Sequence, residues 1–95
     1  MKDRQGEPLR FVLEQNYPNP FNPATTIRYQ LPSVNIVDLK VFDVLGKEIA
    51  TQVSGKETAG AHSLVFDGRN LPSGVYFYKF SAGAVSMTKK MLLLK

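Results

Sequence analysis

The stretch Asn16-Tyr17-Pro18-Asn19-Pro20-Phe21-Asn22-Pro23 constrains the fold of this chain more than any other. Each of its prolines fixes φ at about −65° and removes a backbone donor, and each residue before a proline is pushed from helix toward extended or polyproline geometry. The run can be neither helix nor central strand. Its asparagines suit turns, because short amide side chains bond neighbouring backbone groups, whereas Tyr17 and Phe21 have aromatic surface to bury. We read a stiff, buttressed connector between two strands that carries the chain from one sheet to another. Its aromatics plug the end of a core, and a rigid loop of this kind can also serve as a preformed recognition surface.

Elsewhere the apolar pattern has period two. Met1 to Pro8 is polar and mixed in charge, and it reads as a loose leader or the remnant of a linker, which leaves residues 9–95 as one domain. Phe11 to Gln15 is a short strand candidate. Thr25 to Leu31 alternates, with Ile27, Tyr29 and Leu31 on one face and Thr26, Arg28 and Gln30 on the other. Ile36 to Phe42 repeats the pattern with Val37, Leu39 and Val41 inward, and Asp43-Val44-Leu45-Gly46 supplies a hairpin turn with Gly46 where positive φ is cheap. The return strand is expected over Lys47 to Val53, followed by a polar loop from Ser54 to Gly60. His62, Leu64 and Phe66 then share a strand face, Asp67 to Asn70 turns the chain, and Leu71-Pro72-Ser73-Gly74 leads into an aromatic strand from Val75 to Ser81. Ala82-Gly83 turns into a last strand, Val85 to Leu94.

Short strands, turn signals at roughly ten-residue spacing and no amphipathic helical window predict an all-β fold. The expected architecture is an immunoglobulin-like antiparallel β-sandwich of about seven strands with Greek-key topology. The long connector favours a sandwich over a barrel, because it suits a sheet-to-sheet crossover better than a tight hairpin.

Chemistry is harder to find. The chain has no cysteine, which excludes disulfides, thiolate metal sites and a cysteine nucleophile. A net charge of +4 is spread from Lys2 to Lys95 rather than gathered into a block, a weak basis for nucleic-acid binding. Met91 to Leu94 is the longest aliphatic run and falls far short of the roughly 18 residues of a membrane span, so no membrane insertion is expected. His62, the single histidine, lies beside Leu64 and Phe66 and reads as a partly buried, hydrogen-bonded imidazole rather than a base. Asp38, Asp43, Glu48 and Asp67 fall at turns or outward positions, where Asx turns or a solvated face would place them. No nucleophile elbow, phosphate loop or metal-ligand cluster is present, so neither an enzyme nor a cofactor is expected.

Phe11 to Pro23 followed by Thr25-Thr26-Ile27 closely resembles the opening of type A C-terminal sorting domains of the type IX (Por) secretion system of Bacteroidetes and related bacteria. Val41-Phe42-Asp43-Val44-Leu45-Gly46-Lys47-Glu48 resembles that family's "VYDxLGxE" hairpin, with Phe42 where the family often has tyrosine. Ala59-Gly60-Ala61-His62 with Phe66-Asp67 resembles its next strand. Leu71-Pro72-Ser73-Gly74-Val75-Tyr76-Phe77-Tyr78 and Lys89-Lys90-Met91-Leu92-Leu93-Leu94-Lys95 look like its closing pair.

The resemblance implies the tail of a longer exported protein, attached to an N-terminal cargo domain. Such a tail is recognised in the periplasm, directs its cargo through the outer-membrane translocon to the cell surface or medium, and is commonly removed by a sortase-like cysteine peptidase. Pro18, Asn19, Pro20, Phe21, Gly46, Gly74 and Tyr76 carry the family motifs. For Lys89, Lys90 and Lys95 we expect a part in recognition, because a terminal strand can complete a sheet and still offer a lysine-flanked edge to a partner. Two other classes share features with the chain. Val37 through Tyr78 resembles the immunoglobulin-like module of flagellar hook-capping proteins, but the loop from Asp67 to Gly74 is shorter than that group's. A carbohydrate-binding module would need Tyr17, Phe21, Tyr76 or Tyr78 as an exposed row of sugar platforms.

Overall fold

Alternation in the sequence becomes alternation in burial, strand by strand. The computed structural model describes Leu9 to Lys95; the leader expected at 1–8 lies outside the described residues. It contains β1 (Val12–Leu13), β2 (Ala24–Leu31), β3 (Asn35–Phe42), β4 (Glu48–Glu57), β5 (Gly60–Asp67), β6 (Gly74–Ala82) and β7 (Val85–Leu93). All the pairings between these strands are antiparallel, and they build two sheets of order β1-β2-β5 and β4-β3-β6-β7.

The sheets enclose one core, as in a β-sandwich. Ile27, Tyr29 and Leu31 enter it from β2, Val37, Leu39 and Val41 from β3, Tyr76, Tyr78 and Phe80 from β6, and Met91 and Leu93 from β7. Each side chain of this kind contributes about 1.5–3 kcal/mol relative to leaving it in water, so the period-two faces supply most of the drive to stack the sheets. The three inward pairs of facing residues on the central strands, Leu39 with Phe80, Val41 with Tyr78 and Val37 with Ala82, fix the β3–β6 register, because a slip by one residue would turn all of them to solvent.

Two expectations are corrected by the pairing. Ser54 to Glu57 is not a loop: β4 continues through it, with Asp38 opposite Ser54, Val37 opposite Gly55 and Asn35 opposite Glu57. The outer backbone groups of β3 need partners along its whole length, and an edge strand with a solvated face tolerates polar side chains. The connection to β5 shrinks to Thr58 and Ala59. The proline-rich run is not a crossover between sheets either, since β1 and β2, which it joins, are neighbours in one sheet. The peptide bonds before Pro18, Pro20 and Pro23 are all cis.

Antiparallel pairing sorts the loops to two ends of a molecule about 42 Å long. One end holds the connector, the turn from Asp43 to Lys47, the segment from Gly68 to Ser73 and Leu94-Lys95. The other holds the β2–β3, β4–β5 and β6–β7 connections, and β1 enters from that side, with Val12 opposite Gln30.

Candidate recognition site

The connector is built on a buried polar cluster. Tyr78, fully buried on β6, donates its hydroxyl to the Glu14 carbonyl at 2.6 Å and accepts the Asn16 amide at 2.7 Å. The Asn16 side chain, itself buried, donates to Thr25 Oγ1 at 3.0 Å and to the Pro18 carbonyl at 3.2 Å, and accepts from Gln15 Nε2 at 2.7 Å. Thr25 Oγ1 in turn donates to the Pro18 carbonyl at 2.8 Å. No buried side-chain nitrogen or oxygen among the described residues lacks a partner, which is the condition under which a buried polar network orders a loop rather than weakening it. Burial raises the Tyr78 hydroxyl pKa to about 12; the Asn16 amide bond opposes that rise and the Glu14 charge adds to it.

From this anchor on β6 the connector runs on to β7, the neighbouring strand of the same sheet. Phe21 is buried, sets its ring edge against Phe66 at a centroid distance of 6.1 Å, and forms a parallel bridge with Leu93. The Phe21 amide donates to the Leu92 carbonyl at 2.9 Å and its carbonyl accepts the Leu94 amide at 3.0 Å. Asn19 Oδ1 accepts the Leu92 amide at 2.9 Å, and Gln15 Nε2 reaches the Lys90 carbonyl at 2.7 Å. The connector therefore closes the outer edge of β7 from Lys90 to Leu94, and takes up most of the lysine-flanked edge expected over Lys89 to Lys95. The ladder alone shows the reason: residues 90, 92 and 94 turn their backbone groups away from β6, and the polar connector supplies what they need.

Gly68 makes this closure feasible. Its amide donates to the Pro23 carbonyl at 2.7 Å, and a Cβ there would stand 3.1 Å from Leu93 Cδ2 and 3.3 Å from Phe21 Cε2. Next to it Asp67 accepts the Arg69 amide and pairs with the Arg69 guanidinium at 2.6 Å, which holds its carboxyl below the usual range.

Most sequence-derived site residues meet at this end. Asn19 and Phe21, joined by Pro20, bond the end of β7, the Pro18 carbonyl accepts from Asn16 and Thr25, and Gly74, the first residue of β6, faces Leu93. Tyr76 is buried and donates to the Pro72 carbonyl at 2.6 Å. The Lys95 amide donates to Ser73 Oγ at 3.0 Å and its ammonium to the Arg69 carbonyl at 2.6 Å. Gly46 adopts a φ of 84° in a turn organised by Asp43, whose Oδ1 accepts the Leu45 and Lys47 amides. That turn borders Pro72 to Tyr76 across an open hollow of about 230 Å³, and it holds Val44 and Leu45 in solvent. Lys90 points outward. Lys89 stands apart from the group, half-buried on the inward face of β7 opposite Tyr78.

Sequence reasoning singled out none of Gln15, Asn16, Thr25 and Gly68 as a site residue. For Thr25 a signal existed, since it shares the parity of Ile27, Tyr29 and Leu31 and so had to point inward. Tyr17 is a correction: the residue is 74% exposed although its backbone bridges Thr26. Phe21, Tyr76 and Tyr78 are buried, so the four rings form no exposed row for a sugar. His62 agrees with expectation, with Nε2 2.7 Å from the Thr58 carbonyl, Nδ1 3.5 Å from Glu57 and its ring stacked on Tyr29.

No curated protein matches the chain. The family described as the secretion system C-terminal sorting domain matches residues 15–94, a span that opens one residue before the buried Asn16 and closes on Leu94, where the connector meets β7. With nearly all of the described fold inside that match, the chain belongs to the secretion system C-terminal sorting domain family of type IX secretion.

Proposed function

We propose that residues 9–95 form a transferable address that takes an attached N-terminal cargo across the outer membrane through the type IX translocon. The cargo passes through the periplasm and reaches the cell surface or the medium. The domain acts as a substrate of this machinery and of a sortase-like cysteine peptidase that removes it, and performs no catalysis itself. The family match over residues 15–94 carries this reading.

The fold supports a division of labour between its two ends. β1 enters from one end, where a cargo would be attached, and the motif residues Phe21, Gly46, Gly74 and Lys95 gather at the other, clear of that attachment. Recognition by the machinery falls to the motif end, with Lys90 and Lys95 contributing charge. Fusing residues 9–95 to a periplasmic reporter in a bacterium with a working type IX system tests the reading. The reporter is expected at the surface or in the medium, and in the periplasm when the translocon is disabled. Equal distribution in both strains would overturn the proposal.

A further inference from the structure

The connector closes only part of the β7 edge. Backbone direction alternates along an antiparallel ladder, and the β6–β7 register runs unbroken from Gly74 opposite Leu93 to Ala82 opposite Val85. Ser86, Thr88 and Lys90 therefore turn their amides the same way as Leu92, away from β6, yet the connector reaches only from the Lys90 carbonyl onward. Residues 86–90 present a row of backbone donors and acceptors with no bulge and no proline to blunt it.

The other edges differ. β4 is broken by register shifts opposite Leu39/Lys40 and Val41/Phe42, and β1 is only two residues long. β5 has an unbroken edge, but from Gly60 to Phe66 it carries no lysine, arginine or carboxylate that would select among partners. β7 carries two adjacent cations at its open part. Lys89 points to the inward face beside the Met91 row and Lys90 to the outward face, and neither ammonium is in an ion pair among the described residues. An inward lysine on an edge strand repels indiscriminate pairing, because an added apolar strand would bury an unmatched charge. It admits a strand that brings the opposite charge, since facing residues of opposite sign stabilise a pair and mismatched ones reject it.

We propose that residues 86–90 of β7 are a strand-docking site for an extended, carboxylate-bearing segment of a partner protein, which adds to the four-stranded sheet and sets an acidic residue against Lys89 or Lys90. The added strand continues the line along which Phe21 already bonds to Leu92 and Leu94, so the connector acts as a stop that fixes how far it can extend. Main-chain bonds supply affinity and the lysine pair supplies selection. The inference rests on the sorting reading, on which the partner is a component of the outer-membrane machinery.

Thr88→Pro in the reporter fusion is the direct test. The change removes an amide hydrogen that the fold leaves unused and puts a ring in the path of an added strand, at an edge position where proline is tolerated. With unfolding of the purified domain still cooperative, export is expected to fall on the order of tenfold, the loss of a main-chain bond and its neighbours. Thr88→Val, which keeps the amide, is expected to export like the parent. A folded Thr88→Pro domain exported at the parental level would overturn the docking site while leaving the sorting function intact. If Thr88→Pro fails to fold, the double change Lys89→Glu and Lys90→Glu decides: loss of export from a folded domain supports the site and parental export overturns it. A parent fusion that is not exported would instead overturn the sorting reading, and this inference with it.

Discussion

Asn19 and Leu92 are joined by a 2.9 Å hydrogen bond across 73 positions of sequence, the side-chain oxygen of one accepting the backbone amide of the other. The asparagine acts there as a piece of strand. It completes the ladder of β7 at a place where the proline before it and the proline after it leave the connector few amides of its own to offer. A loop that looks like punctuation in the sequence is therefore part of the second sheet, and Phe21 fixes its depth.

Tyr78→Phe is expected to destabilise the domain by about 1–3 kcal/mol, because the Asn16 amide and the Glu14 carbonyl both lose a buried partner while the core keeps its packing. Urea unfolding would measure it through a lower midpoint at unchanged slope. An unchanged midpoint would mean that water satisfies both groups.

Stability is expected to fall in alkali. The Tyr78 hydroxyl titrates near 10 in the unfolded chain and at about 12 in the fold, chiefly through burial, and Tyr29 shifts in the same direction through burial and its bond to Glu57. Each raised pKa means that above pH 10 the folded state keeps protons the unfolded state has lost. The contribution is therefore full below about pH 10 and drains away as pH rises toward 12, by on the order of 2 kcal/mol for Tyr78. Denaturant unfolding at pH 9, 10, 11 and about 12 would show the decline, and a flat profile would contradict it.

Gly68→Ala places a methyl group 3.1 Å from Leu93 Cδ2 and 3.3 Å from both Phe21 Cε2 and the Pro23 carbonyl. The neighbours are a packed core edge and a backbone oxygen, so the expected loss is about 1–3 kcal/mol, readable as a drop in Tm. A neutral result would show that the connector gives way without loss.

The two aromatics of the connector should behave in opposite ways. Phe21→Ala empties a buried site against Phe66 and Leu93 and is expected to remove roughly 3–5 kcal/mol, whereas Tyr17→Ala, with its ring in solvent, should stay within about 0.5 kcal/mol of the parent. Thermal unfolding of the pair, run side by side, checks both values.

What the sequence disclosed follows from period two. Ile27, Leu39, Tyr78 and Met91 declare their faces by alternation alone, and the turns at Asp43 and Asp67 declare themselves by residue chemistry, each carboxylate accepting the amide two positions on. Ser54 to Glu57 misled because composition reports solvent contact, whereas strand formation on an edge is decided by the backbone of β3 next door. The connector misled for a related reason. Its contacts with Tyr78, Leu92 and Leu93 lie at separations of more than sixty residues, and nothing in Asn-Pro spacing specifies which distant edge the loop will close. Tyr17 and Phe21 cannot be told apart by type; only the bridge to Leu93 decides which one enters the core.

The outer edge of β7 is closed over one part and open over another, and amide hydrogen exchange along the strand tests this most directly. Leu92, bonded to Asn19, should be protected together with Met87, Lys89 and Met91, which face β6, while the outward amides of Ser86 and Thr88 exchange as open backbone does. In the Asn19→Ala variant, Leu92 should join the fast group and Met91 should not. Protection of Thr88 equal to that of Leu92 in the isolated domain would contradict the half-closed edge and remove the basis for a docking site there.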